Sequence, residues 1–334
     1  MAGVQDSALA IAVSNAGALG SLPCAMLSPA QIRSELTALR AGTDKPYNVN
    51  FFCHTPPEPD LAREQGWRET LLPYYQEFGV DPSAVTAAAP RLPFSDEMAD
   101  MLEAFRPPVV SFHFGLPSPQ LLQRVKAWGA TVLSSATTLE EGLWLQAHGT
   151  DAVIAQGLEA GGHRGIFLSD DLSTQVGTLA LVPQLVARLH VPVIAAGGIA
   201  DAAGVQAAMA LGAAGVQVGT SYLLAHEART SAVHRAALKS PHAVHTALTN
   251  VFTGRPARGI VNRVVREVGP LSAHAPAFPL AGGALAPLRA QAEAQQSGDF
   301  SPLWAGQNTS GCAELPAADI THGLVQGLPA RLLA

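Results

Sequence analysis

The sequence is poor in charge, in cysteine and in lysine. Charged residues make up 14% of the 334, against roughly a quarter in typical globular domains. Lysine occurs only at Lys45, Lys126 and Lys239, so arginine carries most of the positive charge, a coding bias. The net charge is −6 and the pI is about 6.0. That leaves no basic field for a nucleic acid or an anionic membrane. Cys24, Cys53 and Cys312 are widely spaced and form no CxxC or Cys/His metal pattern, which fits a reducing, cytoplasmic setting. Cys53 and His54 are adjacent, and neighbours on a strand face opposite ways, so Cys53 reads as an ordinary thiol. No HExxH, GxSxG or Walker A motif occurs, nor a GxGxxG after a first strand. The apolar N-terminus has no basic flank and carries Asp6, so it is not expected to be a signal peptide. The uncharged run 204–225 is broken by Gln206, Gln217 and glycines at 212, 215 and 219, so no membrane span is expected.

What the chain has is apolar residues, 48% of it, in one repeating rhythm. Short apolar runs at 109–114, 131–136, 152–157, 192–198 and 215–220 alternate with amphipathic helical stretches. Residues 17–24 and 47–52 read as two earlier strands. Doubly buried strands separated by helices are parallel βα units. The expected fold is therefore α/β, a (β/α)8 TIM barrel with seven strands visible. The first helical segment begins almost at Met1, so the eighth strand is expected to be missing or truncated at the N-terminus. An open doubly wound sheet is disfavoured because the glycines crowd the last strands. The expected domains are a barrel over 1–222, to which 284–334 returns, and a smaller α+β insertion over 223–283 near the barrel mouth. Residues 55–108, rich in proline, read as an extended excursion between strands.

Functional groups of such barrels gather at the C-terminal strand ends. Three consecutive ends here are QGLEAGGHRG (156–165), AAGGIAD (195–201) and QVGTSYL (217–223). Gly197–Gly198 precedes a helix opening at Asp201, and Gly219–Thr220 ends the last strand. These two loops are the usual phosphate seat of the fold. His163 lies one loop away, in a titration range suited to proton transfer or anion support. Arg164 either joins it as an anion holder or clamps the loop. Glu159 is expected to order the loop through hydrogen bonds.

QGLEAGGHRG, IAAGGIAD and QVGTSYL together resemble the signature of nitronate monooxygenases, formerly 2-nitropropane dioxygenases. NVNFF (48–52), SFHFGLP (111–117), TGRPARGIVNR (253–263) and LWAGQ (303–307) also fit. The resemblance implies FMN and oxidation of alkyl nitronates, such as propionate-3-nitronate, with O2 to a carbonyl compound and nitrite. It implies flavin contacts from Asn50, Gln156, Gly161 and Gly162, and phosphate contacts from Gly198, Gln217, Val218, Gly219 and Thr220. His163 becomes the catalytic residue, expected as a protonated group that binds the anion, or as a base toward a neutral nitroalkane. His113 and Arg164 are assigned to the substrate pocket, with a buried structural role as the alternative for His113. Trp304 and Gln307 are candidates to close the pocket. The partners implied are small molecules, a nitronate and O2, for a monomer or homodimer. Two rival activities share the scaffold: an NAD(P)H-dependent FMN reductase of quinones or enoyl thioesters, and a flavin-free barrel isomerase or lyase on a phosphorylated metabolite.

Overall fold

In the computed structural model, residues 2–85 and 91–328 are described. Seven parallel strands form one curled sheet in the order β1 (Gly20–Pro23), β2 (Tyr47–Phe52), β3 (Val109–His113), β4 (Thr131–Ala136), β5 (Ala152–Gln156), β7 (Val193–Ala196) and β8 (Gly215–Gln217). β1 and β8 are its two edges. The strands alternate faces as the pleat requires. In β5, Val153 and Ala155 join the helix-side core with Leu181 and Leu185, whereas Ala152 and Ile154 meet Leu133 and Ala196 on the opposite face.

The helices are α1 (Ser7–Asn15), α2 (Pro29–Gly42), α3 (Leu61–Glu77), α4 (Asp96–Phe105), α5 (Pro119–Ala127), α6 (Leu139–Ala147), α7 (Thr178–Val186), α8 (Ala202–Ala210), α9 (Ala232–Leu238), α10 (Arg263–Glu267), α11 (Ala281–Ala294) and α12 (Ala317–Val325). Polar caps set their starts. Ser28 closes a capping box with Gln31 on α2, and Asp201 accepts from Gly204 N at the head of α8, as its sequence position predicts.

A second, antiparallel sheet lies in the order β6 (Gly162–His163), β10 (Ala257–Ile260) and β9 (Thr246–Thr249). It stitches the QGLEAGGHRG loop to the late part of the chain. Within the described residues, the 55–108 excursion between strands holds two helices, α3 and α4. Pro73 inside α3, and apolar residues that do not fall on one stripe, hide that helix from periodicity. α3 packs on α11 through a core that includes Trp67, Leu71, Tyr75, Leu285 and Leu288. Trp67 Nε1 donates to Ala281 O at 3.1 Å and the Tyr75 hydroxyl to Ala284 O at 2.6 Å. The last residues of the tail, 329–334, lie outside the described residues. No helix among the described residues is long and apolar enough to cross a membrane.

Candidate active site

Register fixes the site. β5, β7 and β8 pair Gln156 with Ala196 and Ala196 with Gln217, so the three glycine-bearing loops leave the sheet side by side. β2 and β3 pair Phe52 with His113.

The β7 and β8 loops form a cradle of free donors. Gly198 has φ +72°, which an L side chain rarely adopts. The N–H groups of Gly198, Ile199 and Gly219 find no acceptor among the described residues, and Gly198 and Ile199 lead into the N-terminus of α8. Such donors and the helix dipole together suit an anion. Gln217 is exposed at the end of β8, with Val218 and Thr220 half-buried beside it. A strap over 305–312 binds these loops together. Gly306 N donates to Thr220 Oγ1 at 2.9 Å, Gln307 N to Glu159 O at 2.9 Å, and Asn308 Nδ2 to Gly198 O at 3.0 Å.

The strap also explains Gly161. A Cβ there would sit 2.5 Å from Gly306 N. Gly162 differs: its φ is +75° and open space surrounds the missing Cβ.

Below the loop lies a buried polar clamp. Arg164 has 0% exposure, and it donates to Gly157 O and Gln156 O, both at 2.7 Å, and to Gln175 Oε1 at 3.0 Å. Its placement in the substrate pocket is corrected, because all three guanidinium nitrogens are engaged inside the protein. Gln156 donates through Nε2 to His163 O at 2.9 Å and accepts Gly165 N at 2.7 Å, so its amide shapes the loop from within. Glu159 accepts from Thr178 N and Oγ1 and caps α7, whose Gly177 cap has no side chain to do so. Asn50 lies further round the sheet, its Nδ2 donating to Ser111 Oγ at 2.9 Å.

Above the loop is an aromatic chamber. Phe278 lies 5.3 Å from His163 and Trp304 5.6 Å, centroid to centroid, with Phe52 and Phe114 within 6.3 Å. His113 has both nitrogens bonded: Nε2 to His163 O at 3.1 Å and Nδ1 to Ser135 Oγ at 3.1 Å. A carbonyl only accepts, so Nε2 carries the hydrogen. Burial lowers the His113 pKa to about 3. His113 therefore touches the chamber as a fixed neutral ring that holds the loop.

His163 Nε2 lies 2.9 Å from Thr253 Oγ1. Burial, then the Arg91 charge, then His113, Arg255 and His54 hold its pKa well below the ordinary histidine value. These surroundings disfavour the protonated form of His163 and favour the neutral ring near pH 7. The Thr253 hydroxyl lies 3.4 Å from Arg255 O. Donating there, it accepts from Nε2–H, which leaves the Nδ1 lone pair of His163 without a partner among the described residues.

A nitronate monooxygenase family model matches residues 1–327. This chain belongs to that family. It is 44% identical over 331 residues to the nitronate monooxygenase of Pseudomonas aeruginosa, covering 98% of this chain and 94% of the relative. Identity to the nitronate monooxygenase of Paraburkholderia phytofirmans is 40% over 334 residues, covering 98% and 90%. The solved nitroalkane oxidase of Streptomyces ansochromogenes superposes with a TM-score of 0.89 at 36% identity, covering 100% of this chain and 95% of that one.

Much of the chamber is not legible in the sequence alone. His54 is one such residue: its ring meets Phe278 at 4.8 Å. Phe52, Phe114, Thr253, Arg255 and Phe278 were not singled out. One signal was available: FFCH and SFHF are the two strand ends where Phe and His alternate.

Proposed function

We propose that this chain oxidises alkyl nitronates with O2 to a carbonyl compound and nitrite, using FMN bound at the barrel mouth. The observation that carries the reading is a cradle of free N–H donors one loop away from a half-buried histidine in an aromatic chamber.

The donors fit a flavin mononucleotide. The N–H groups of Gly198, Ile199 and Gly219 would hold its phosphate, beside Gln217, Val218 and Thr220. Gly162, with open space at its missing Cβ, admits close approach of a flat ring. Asn50 and Gly161 border the same mouth. FMN supplies the electron acceptor, and the protein supplies position and field.

The residues divide the remaining work. Phe52, Phe114, Phe278 and Trp304 exclude water from the reacting carbon. With a preformed nitronate, His163 has no proton to remove and serves as a neutral wall of the pocket. With a neutral nitroalkane, its Nδ1 takes the α-proton, and Thr253 keeps Nε2 protonated while it does so. Residues 223–283, which carry Thr253 and Phe278, act in this reading as the smaller domain that closes the mouth. The partners are the nitronate and O2, in the cytoplasm.

Anaerobic mixing of the flavin-loaded protein with ethyl nitronate and, separately, with NADH tests the reading. Nitronate is expected to bleach the flavin absorbance and NADH is not. Bleaching by NADH alone would identify a reductase instead, and a protein that cannot take up flavin would remove the reading altogether.

A further inference from the structure

If His163 is neutral, the positive charge that attracts an anionic substrate must come from another group. The turn between β9 and β10 supplies one. Gly254 there has φ +88°, and a Cβ would stand 2.0 Å from Pro276 O, so the turn is pressed against the segment that carries Phe278. Next to it, Arg255 lays its guanidinium 4.2 Å from the Phe114 ring centroid. Its Nη2 donates to Ile166 O. Its Nε is buried with no partner, and no carboxylate among the described residues comes within ion-pair distance of it.

An unpaired guanidinium is costly to remove from water, because burial penalises the charged form and arginine does not give up its proton. Asp170 and Glu141 oppose its charge from a distance, but neither forms an ion pair with it, and the chamber wall itself adds no acid. Phe52, His54, His113, Phe114, His163, Thr253, Phe278 and Trp304 include no acid. Arg91 adds a second cation, 5.5 Å from the Phe278 centroid. The ordinary resolution of such an arrangement is an anion from outside.

We propose that Arg255 is the anion-binding residue of the chamber and that a nitronate oxygen accepts from its Nε–H. Phe114 orients the guanidinium by stacking, and Ile166 O holds its far end. Arg255 thus acts through binding and leaves the proton chemistry to His163. This rests on the proposed nitronate oxidation, but the anion site itself does not require it.

The test uses nitrate, an unreactive planar anion, as the probe on the flavin-loaded protein. Calorimetric titration is expected to show nitrate binding to wild type and weaker binding to Arg255→Lys. Arg255→Gln should weaken it about 10- to 100-fold, the loss of one charge-assisted hydrogen bond. The KM for ethyl nitronate should rise in Arg255→Gln by a similar factor, and turnover of nitroethane should fall as well, because proton removal develops the same anionic oxygen. Because Arg255 also braces Ile166, wild-type protein gives a check independent of any variant. The Arg255 Hε resonance should shift when nitrate is added. Unaltered nitrate affinity in Arg255→Gln, or an unmoved Hε resonance, overturns the proposal. Nitrate binding that depends on Arg255, in a protein that does not oxidise nitronates, would keep the anion site and reject the oxidase reading.

Discussion

His163 and Thr253 stand ninety residues apart in the chain and 2.9 Å apart in space. The contact joins the loop after β5 to the turn of the small antiparallel sheet. It decides which nitrogen of His163 is free, and so what chemistry the ring can perform.

Thr253→Val should therefore separate two substrates. Without the hydroxyl, Nε2–H loses its acceptor and the Nδ1 tautomer is no longer selected. Turnover of neutral nitroethane is expected to fall at least about tenfold, while ethyl nitronate is oxidised nearly as before. Thr253→Ser should restore the difference. Equal losses on both substrates would show that Thr253 acts only on structure.

The pH dependence follows from the depressed His163 pKa. A neutral ring is already in its working form near pH 7, so kcat/KM for ethyl nitronate should not decline between pH 6 and 9. A protonated His163 would instead lose function as pH rises through its pKa. A steady alkaline fall in stopped-flow rates would restore that earlier expectation.

Acid stability gives a separate check. Burial lowers His113 to about 3 and His234 to about 4. Both are neutral when folded and have an ordinary pKa near 6.5 when unfolded. Below that value the unfolded chain binds more protons, so stability falls as pH drops from about 6.5 toward about 4. Each such histidine contributes up to about 1.4 kcal/mol per pH unit in that window. Denaturant melts of wild type and His234→Gln should show a shallower slope in the variant.

Gly161 and Gly162 should respond differently to alanine. At Gly162 only the backbone is strained, about 1–2 kcal/mol. At Gly161 the new methyl meets the 305–306 backbone, so the strap must move. Gly161→Ala should expose 305–312 to limited proteolysis and Gly162→Ala should not. The same cleavage rate in both would deny the strap its fixed seat.

Arg164→Met should destabilise the protein by about 3 kcal/mol or more, since it strips hydrogen bonds from two buried carbonyls. Lysine cannot replace the three-way donor geometry, so Arg164→Lys should recover little in a thermal melt.

The sequence by itself determined the parallel βα rhythm, because doubly buried strands must be continuous apolar runs and their helices must carry an apolar stripe. β2 was legible residue for residue at 47–52, and Asp201 was legible as a cap. The gathering of glycines at the last three strand ends also followed from the sequence, since βα loops of such a sheet emerge on one side. Tertiary structure alone decided how the polar residues of QGLEAGGHRG are used. Arg164 and His163 are adjacent in the chain, yet one is sealed beneath the loop and the other faces the chamber. That division depends on carbonyls at 156 and 157, a glutamine at 175 and a threonine at 253. The protonation state of His163 was equally hidden. It is set by burial and by charges at 91 and 255, and local sequence carries no record of which distant charges will surround a ring.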